Sequence, residues 1–101
     1  MEVVAPSELP EIVDSGDVTV LDLRREDEFE ENHISGKSIE TVNVYFHSLK
    51  DKGRRAILDK IDTEKVVVVC WTGKCSVAIA RMLESEGFDA MSLEGGMQNW
   101  S

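Results

Sequence analysis

The chain has little of what marks several large classes of protein. Its 101 residues include only two cysteines, two prolines and 6% aromatic residues. No apolar run approaches the length of a membrane span, so we expect no membrane partner. Basic residues are also scarce, since 11 of them face 20 acidic residues and the formal net charge is −9. Nucleic acids and anionic membrane surfaces both require a basic patch, so we do not expect either as a partner.

The composition does supply the material for one compact domain. Hydrophobic residues make up 42% of the chain, and the length suits one domain but not two, which we place at residues 1–101. Met1–Pro6 lacks the basic start and apolar core of a signal peptide, so we predict a cytoplasmic protein. In that compartment two cysteines are more typical of reactive thiols than of a structural disulfide. We expect no cofactor and, without a Cys-x-x-Cys pair, no metal site.

Strand patterns alternate with helix patterns along the chain. Strands are predicted at Val18–Asp22, Ser38–Val44, Val66–Cys70 and Phe88–Leu93. Helices are predicted at Glu8–Asp14, at Ser76–Glu86 and after Gly95–Gly96. Arg25–Asn32 is predicted as a short acidic helix or turn, and His47–Lys60 as one or two helical pieces interrupted near Gly53. This alternation indicates an α/β domain with a largely parallel sheet. Because sites in such sheets lie beyond the carboxyl ends of the strands, we expect Asp22–Arg24 and Cys70 to be neighbours.

Cys70 is the most informative residue, because a run of four valines ends at it and a helix follows near Ser76. A thiol in that position faces loop N–H groups and the positive end of a helix dipole. Both stabilise a thiolate, the reactive form of cysteine, and Lys74 adds a positive charge to the loop. The alternative interpretation is that Cys70 is a small residue of the core.

Cys75 lies five positions after Cys70 and also has two interpretations. If the loop wraps, the two sulfurs approach, and Cys75 is a resolving thiol that attacks a persulfide on Cys70. Otherwise it is a small residue at the start of the helix that points into the core.

Several other residues are candidates for supporting roles. Asp22 and Arg24 project to the same side of their strand and can pair with each other. His33 either shuttles a proton or bonds loop backbone and holds its shape. Gly73 permits a tight loop turn, and Trp71 either forms a pocket wall or is an exposed aromatic without a special role.

Four segments together resemble the rhodanese-like domain in its single-domain form. In that family the corresponding patterns are D-x-R…E-F, G-H-I-P-G-A, C-x-x-G-x-R-S and G-F…L-x-G-G…W. The matching segments here are Leu21–Arg24 with Glu28-Phe29, Asn32–Lys37, Val66–Ser76, and Gly87–Gly96 with Trp100. The resemblance implies a mostly parallel five-stranded sheet with helices on both faces.

The resemblance also implies a sulfurtransferase. Cys70 would take a sulfane sulfur from a donor such as thiosulfate or a persulfide, and would pass it to a thiol or cyanide. The expected partners are this small anionic sulfur donor, the thiol or cyanide acceptor, and a sulfur-relay protein. By the same resemblance, Asp22, Arg24 and His33 are supporting residues. The loop that binds the substrate comprises Trp71, Thr72, Gly73, Lys74, Cys75 and Ser76.

The chain departs from the family pattern in the loop, where Cys75 replaces the usual arginine. Asn32 and Ser35 replace a glycine and a proline. Loss of the arginine removes a bidentate cation for an oxyanion. A Cys70/Cys75 dithiol redox enzyme and a sulfur-carrier or interaction module without thiosulfate activity therefore remain alternatives. Phosphatase and arsenate reductase chemistry is disfavoured, because those loops place an arginine where Ser76 stands.

Overall fold

Five strands form one parallel sheet in the computed structural model, which describes residues 2–14, 17–31, 33–34, 39–45 and 55–99. Every pair of neighbouring strands is parallel, and the spatial order is β1-β5-β4-β2-β3. The bounds are β1 Glu2–Val4, β2 Val18–Asp22, β3 Ile39–Asn43, β4 Lys65–Val69 and β5 Asp89–Leu93. The predicted α/β fold with a parallel sheet is confirmed.

Helices cover both faces of the sheet. They are α1 Leu9–Asp14, α2 Glu26–Glu31, α3 Arg55–Leu58, α4 Lys74–Ser85 and a 3₁₀ helix, Gly96–Asn99. Val66, Val68 and Cys70 pack with α3 and α4, whereas Val67 and Val69 pack with α1 and the 3₁₀ helix. In the ranges given above, no helix has the length and apolar character needed to cross a membrane.

The central strand β4 explains the position of the site. Its four valines are fully buried, as expected for a β-branched run with both faces covered by helices. Asp22 is opposite Val69 in the register of β2 and β4, and the Leu23 N–H donates to the Val69 carbonyl at 2.8 Å. The carboxyl ends of the two strands therefore meet, which confirms the predicted neighbourhood.

The structure contains one strand that was not predicted, and several predicted elements differ from the observed ones at their ends. Strand β1 was not predicted, because three residues are too few to show a period. It pairs with β5, and beyond the paired residues the Glu94 N–H donates to the Val4 carbonyl at 2.8 Å. Helix α4 begins at Lys74, two residues before the predicted Ser76. Strand β4 ends one residue before Cys70.

Some predictions fall outside the described residues. These are the predictions for Asn32, for residues 35–37 of the second matching segment, for the first part of the His47–Lys60 helix, and for Trp100.

Candidate active site

Cys70 lies directly after β4, with 5% of its surface exposed, at the base of a pocket. Its Sγ accepts a hydrogen bond from the Gly73 N–H at 3.0 Å. The pocket has a volume of about 230 Å³, and residues that follow β2 and β4 form its walls. The lining includes Arg24, Arg25, Glu28, Trp71, Thr72 and Cys75. The thiol thus combines a backbone N–H donor with access to a small pocket.

Gly73 turns the loop so that its N–H faces the sulfur. It caps helix α4 in the left-handed conformation, with φ +95°, which side chains rarely adopt. A Cβ at this position would lie 3.3 Å from the Gly95 nitrogen, tighter than ordinary contact. The predicted requirement for glycine therefore has two causes, the backbone conformation and the close approach of the chain after β5.

The 3₁₀ helix holds the carbonyl side of the loop. The Met97 N–H donates to the Cys70 carbonyl at 2.7 Å, and the Gln98 N–H donates to the Trp71 carbonyl at 3.1 Å. In a trans peptide unit the N–H points opposite to the C=O. The N–H groups of Trp71 and Thr72 therefore point away from the 3₁₀ helix.

Gly96 makes this contact between the 3₁₀ helix and the loop possible. Its φ is +65°, and a Cβ there would collide with the carbonyl oxygens of Cys70 and Trp71. Sequence reasoning treated Gly95-Gly96 as a turn and missed its role under the loop. Two adjacent glycines directly after a buried strand were the available signal.

A buried pair of serines supports the loop from below. Ser76 Oγ donates to the Gly73 carbonyl at 3.0 Å and lies 2.7 Å from Ser92 Oγ. Ser76 Oγ also accepts a hydrogen bond from the Cys70 thiol, with 3.6 Å between Sγ and Oγ. Ser92 was not predicted as a site residue, although a serine in the apolar strand β5 was a visible signal. The pair ties the start of α4 to β5 beneath the sulfur.

Cys75 lines the pocket of Cys70, as the resolving-thiol interpretation requires, and it also packs against the core at the start of the helix, as the other interpretation states. It is the second residue of α4, lines the same pocket and packs against the apolar cluster that contains Cys70. Both cysteines are free thiols. Burial, the charge of the Cys70 sulfur and a hydrogen bond with it, in that order, raise the pKa of Cys75. Cys75 therefore keeps its proton at neutral pH.

Asp22 and Arg24 form a buried ion pair at the end of β2, which is the pairing considered from the sequence. Arg24 Nη2 lies 2.8 Å from Asp22 Oδ2, and both Arg24 Nε and the Arg24 backbone N–H donate to Oδ1 at 3.0 Å. Asn43 Nδ2 donates to the carbonyls of Asp22 and Arg24, at 3.1 and 2.8 Å. Asn43 was missed, because its partner strand is known only from the fold. These contacts fix the pocket wall on the β2 side.

Arg25 is the exposed cation among the described residues of the pocket lining. It pairs with Asp27 at 3.2 Å and with Glu28 at 3.5 Å, and 58% of its side chain is exposed. Lys74, predicted to assist Cys70, is exposed and lines a separate groove beside Gly73 and Val77. The positive charge that a ligand in the Cys70 pocket meets therefore comes from Arg25. Arg25 was not predicted as a site residue, because its place in the pocket depends on how the chain folds after β2.

His33 and Trp71 lie at the periphery. His33 is exposed, its Nδ1 donates to the Phe29 carbonyl at 2.9 Å, and its ring stacks on Phe29 at 4.3 Å. His33 therefore bonds backbone, but the backbone of helix α2 rather than of the loop, and it is not part of the described pocket lining. Trp71 is 52% exposed and forms part of the pocket wall. Thr72 Oγ1 accepts the Lys74 N–H at 3.5 Å.

The fold and site together define an α/β domain with a cysteine in a backbone cradle at the end of its central parallel strand. The chain belongs to the rhodanese-like domain family, because the family model described as "Rhodanese-like domain" matches residues 5–101. The resemblance noted in the sequence is therefore confirmed.

Known proteins extend this assignment. A thiosulfate sulfurtransferase, GlpE, of Pseudomonas fluorescens is 36% identical over 98 residues, covering 96% of this chain and 82% of the relative. The structure of a rhodanese-related protein from Thermoplasma volcanium matches with a TM-score of 0.76 at 25% identity, covering 99% of this chain and 90% of that one. An NAD-dependent persulfide reductase from A. fulgidus matches with a TM-score of 0.68 at 29% identity, covering all of this chain (100%) but 16% of that one. These similarities support a rhodanese-type sulfurtransferase in general.

Proposed function

We propose that this chain transfers a sulfane sulfur from thiosulfate or a persulfide to a thiol or cyanide acceptor, through a persulfide on Cys70. The observation that carries the proposal is the position of Cys70 Sγ, which accepts the Gly73 N–H at 3.0 Å at the base of an open pocket. A backbone donor aimed at sulfur stabilises a thiolate before the reaction and a persulfide anion after it.

The reaction has two displacement steps at sulfur. The Cys70 thiolate attacks the outer sulfur of the donor, and sulfite or a thiolate leaves with the electrons of the broken bond. The acceptor thiolate or cyanide then attacks the outer sulfur of the Cys70 persulfide and releases the Cys70 thiolate. The Gly73 N–H, which donates to Cys70 Sγ at 3.0 Å, is the observed donor that would stabilise negative charge at the reacting sulfur. No external oxidant or reductant is required.

Arg25 is the group that an anionic donor meets at the pocket. The Arg24 guanidinium is buried and bound to Asp22, whereas the Arg25 pairs with Asp27 and Glu28 are exposed. Exposed ion pairs contribute little, so Arg25 can exchange a carboxylate for the donor anion at small cost. This arrangement offers a cation for thiosulfate although Cys75 stands in the position of the loop arginine.

Intact-mass measurement tests the proposal. Wild type incubated with thiosulfate or with a low-molecular-weight persulfide should gain one sulfur atom, and should lose it when cyanide is added, with formation of thiocyanate. Cys70→Ser should gain none. Equal gain in Cys70→Ser would reject Cys70 as the sulfur carrier. No gain in wild type with either donor would reject the proposal and favour a non-catalytic module.

A second experiment tests the donor contact. Arg25→Gln should raise the KM for thiosulfate about fivefold, because an exposed ion pair is worth about 1 kcal/mol. It should change the KM for a low-molecular-weight persulfide less, because such a persulfide carries one negative charge at neutral pH whereas thiosulfate carries two. Arg81→Gln, an exposed arginine on α4, is the matched control for the loss of one positive charge. Equal shifts for both donors would assign Arg25 no role in recognising charge.

A further inference from the structure

We propose that Cys75 is a resolving thiol that attacks Cys70 Sγ of the persulfide, expels sulfide and closes a Cys70–Cys75 disulfide. This inference rests on the proposed function, because it starts from the Cys70 persulfide. It adds a second fate for the bound sulfur, which is release as sulfide when no acceptor arrives.

The geometry that carries the proposal is the shared pocket. Cys70 ends the central strand, and Cys75 lies in the first turn of α4, so the loop between them curls back on itself. Both thiols line the same cavity of about 230 Å³, and Cys75 packs against the cluster that contains Cys70. Neither is engaged in a disulfide. An attacking thiol thus stands beside the sulfur that it must reach.

The step balances in atoms and electrons. The Cys75 thiolate forms a bond to Cys70 Sγ, and the bond between Cys70 Sγ and the outer sulfur breaks. The outer sulfur leaves with the electron pair of the broken bond, takes up one proton, equal to the one that the Cys75 thiol gave up, and departs as HS⁻. The two electrons that it gains are supplied by the two cysteine sulfurs as they become a disulfide. A dithiol reductant then reopens the disulfide and returns both cysteines to thiols.

The protonation state of Cys75 determines the pH range in which sulfide release competes with sulfur transfer to an acceptor. The titratable groups that share its pocket are Cys70, Arg24, Arg25, Glu28 and Tyr45. Burial and the charge of the Cys70 sulfur raise the pKa of Cys75, so at neutral pH it is a thiol and attacks slowly. Below that pKa the thiolate fraction grows about tenfold per pH unit, and sulfide release should grow with it. At neutral pH the persulfide therefore survives long enough to meet an acceptor.

The experiment uses the full chain in two parallel arms. In the first, wild type and Cys75→Ser are loaded with a low-molecular-weight persulfide at neutral pH and freed of donor. The pH is then raised while released sulfide and intact mass are followed. Wild type should release one sulfide per chain and become two hydrogen atoms lighter than the reduced protein. Cys75→Ser should keep its sulfur until a thiol is added.

The second arm needs no persulfide. Diamide, an azo compound that oxidises thiol pairs, should join Cys70 to Cys75 within one chain, as peptide mapping would show. Failure to form that disulfide overturns the inference whatever the first arm gives. A wild-type persulfide that persists at raised pH also overturns it, while leaving the proposed function intact. If diamide forms the disulfide but no sulfur is ever loaded, the proposed function fails, and the resolving step fails with it.

Discussion

The ends of β2 and β4 form the two walls of the pocket, and they are held by different kinds of interaction. After β2, side chains hold the wall, through the buried pair of Asp22 and Arg24. After β4, the main chain holds it, because the N–H groups of Met97 and Gln98 bind the carbonyls of Cys70 and Trp71. In the β2 wall the charges of Asp22 and Arg24 neutralise each other, whereas in the β4 wall the Gly73 N–H donates to the Cys70 sulfur.

The two walls therefore have different roles: the β2 wall fixes the shape of the pocket, and the β4 wall acts on the reacting sulfur. A paired arginine and aspartate fix the shape of the pocket but present little net charge to a substrate. Backbone N–H groups present partial positive charge without a side chain that must be desolvated or ordered. Breaking the β2 wall should therefore cost stability first, and breaking the β4 wall should cost activity first.

The largest effect on stability is expected for Asp22→Asn. It leaves the Arg24 guanidinium buried beside a neutral group, and removal of one partner of a buried pair costs about 3–5 kcal/mol. The matched control is Asp27→Asn, which breaks the exposed pair with Arg25 and should cost under about 1 kcal/mol. Urea unfolding of the two variants measures the difference. Similar losses in both would show that burial of the pair is irrelevant.

Gly96→Ala should break the β4 wall and reduce turnover about a hundredfold, because displacement of a reacting group by about 1 Å has effects of that size. Its Cβ would collide with the carbonyls of Cys70 and Trp71. Gly87→Ala is the control, since Gly87 also has positive φ, +98°, but no atom lies within 4 Å of its added Cβ. It should lose roughly 1–2 kcal/mol of stability and retain turnover. Unchanged turnover in Gly96→Ala would show that activity does not depend on the contact between the 3₁₀ helix and the Cys70 loop.

A smaller effect is expected where α4 rests on β5. Ser92→Ala removes the hydroxyl 2.7 Å from Ser76 Oγ and should cost about 1 kcal/mol, with a modest fall in turnover. Ser85→Ala removes an exposed hydroxyl from the same helix and should stay within about 0.5 kcal/mol of wild type. Thermal unfolding measures the difference in stability between the two variants, and steady-state rates measure the difference in turnover. If Ser92→Ala is as stable as Ser85→Ala, the hydrogen bond between Ser76 and Ser92 does not stabilise the fold.

The smallest effect is a pH dependence at the point where the two walls meet. Because the folded chain holds the Cys75 proton more tightly than the unfolded chain, its contribution to stability is complete below the ordinary cysteine pKa of about 8.5. That contribution is lost as pH rises through the raised pKa of the folded state. Wild type should therefore lose more stability than Cys75→Ser in that window. If urea unfolding shows that wild type and Cys75→Ser lose the same free energy of unfolding over this pH range, the raised pKa of Cys75 is contradicted.

Local patterns predicted much of the fold and the centre of the site. The valine run and the helix after it located Cys70, and the parallel register brought Asp22 and Arg24 beside it. Contacts between distant segments were not readable, because Asn43, Ser92 and Gly96 acquire their roles only once the strand order is known. Strand β1 was missed because its three residues carry no period of their own.

The central claim is that Cys70 carries the transferred sulfur, and the most direct test is to locate that sulfur by tandem mass spectrometry. Protein loaded with a persulfide donor at neutral pH and then alkylated should carry the extra sulfur on Cys70, with Cys75 alkylated directly. Extra sulfur found on Cys75 in wild type, or found in the Cys70→Ser variant at the wild-type level, would contradict the account.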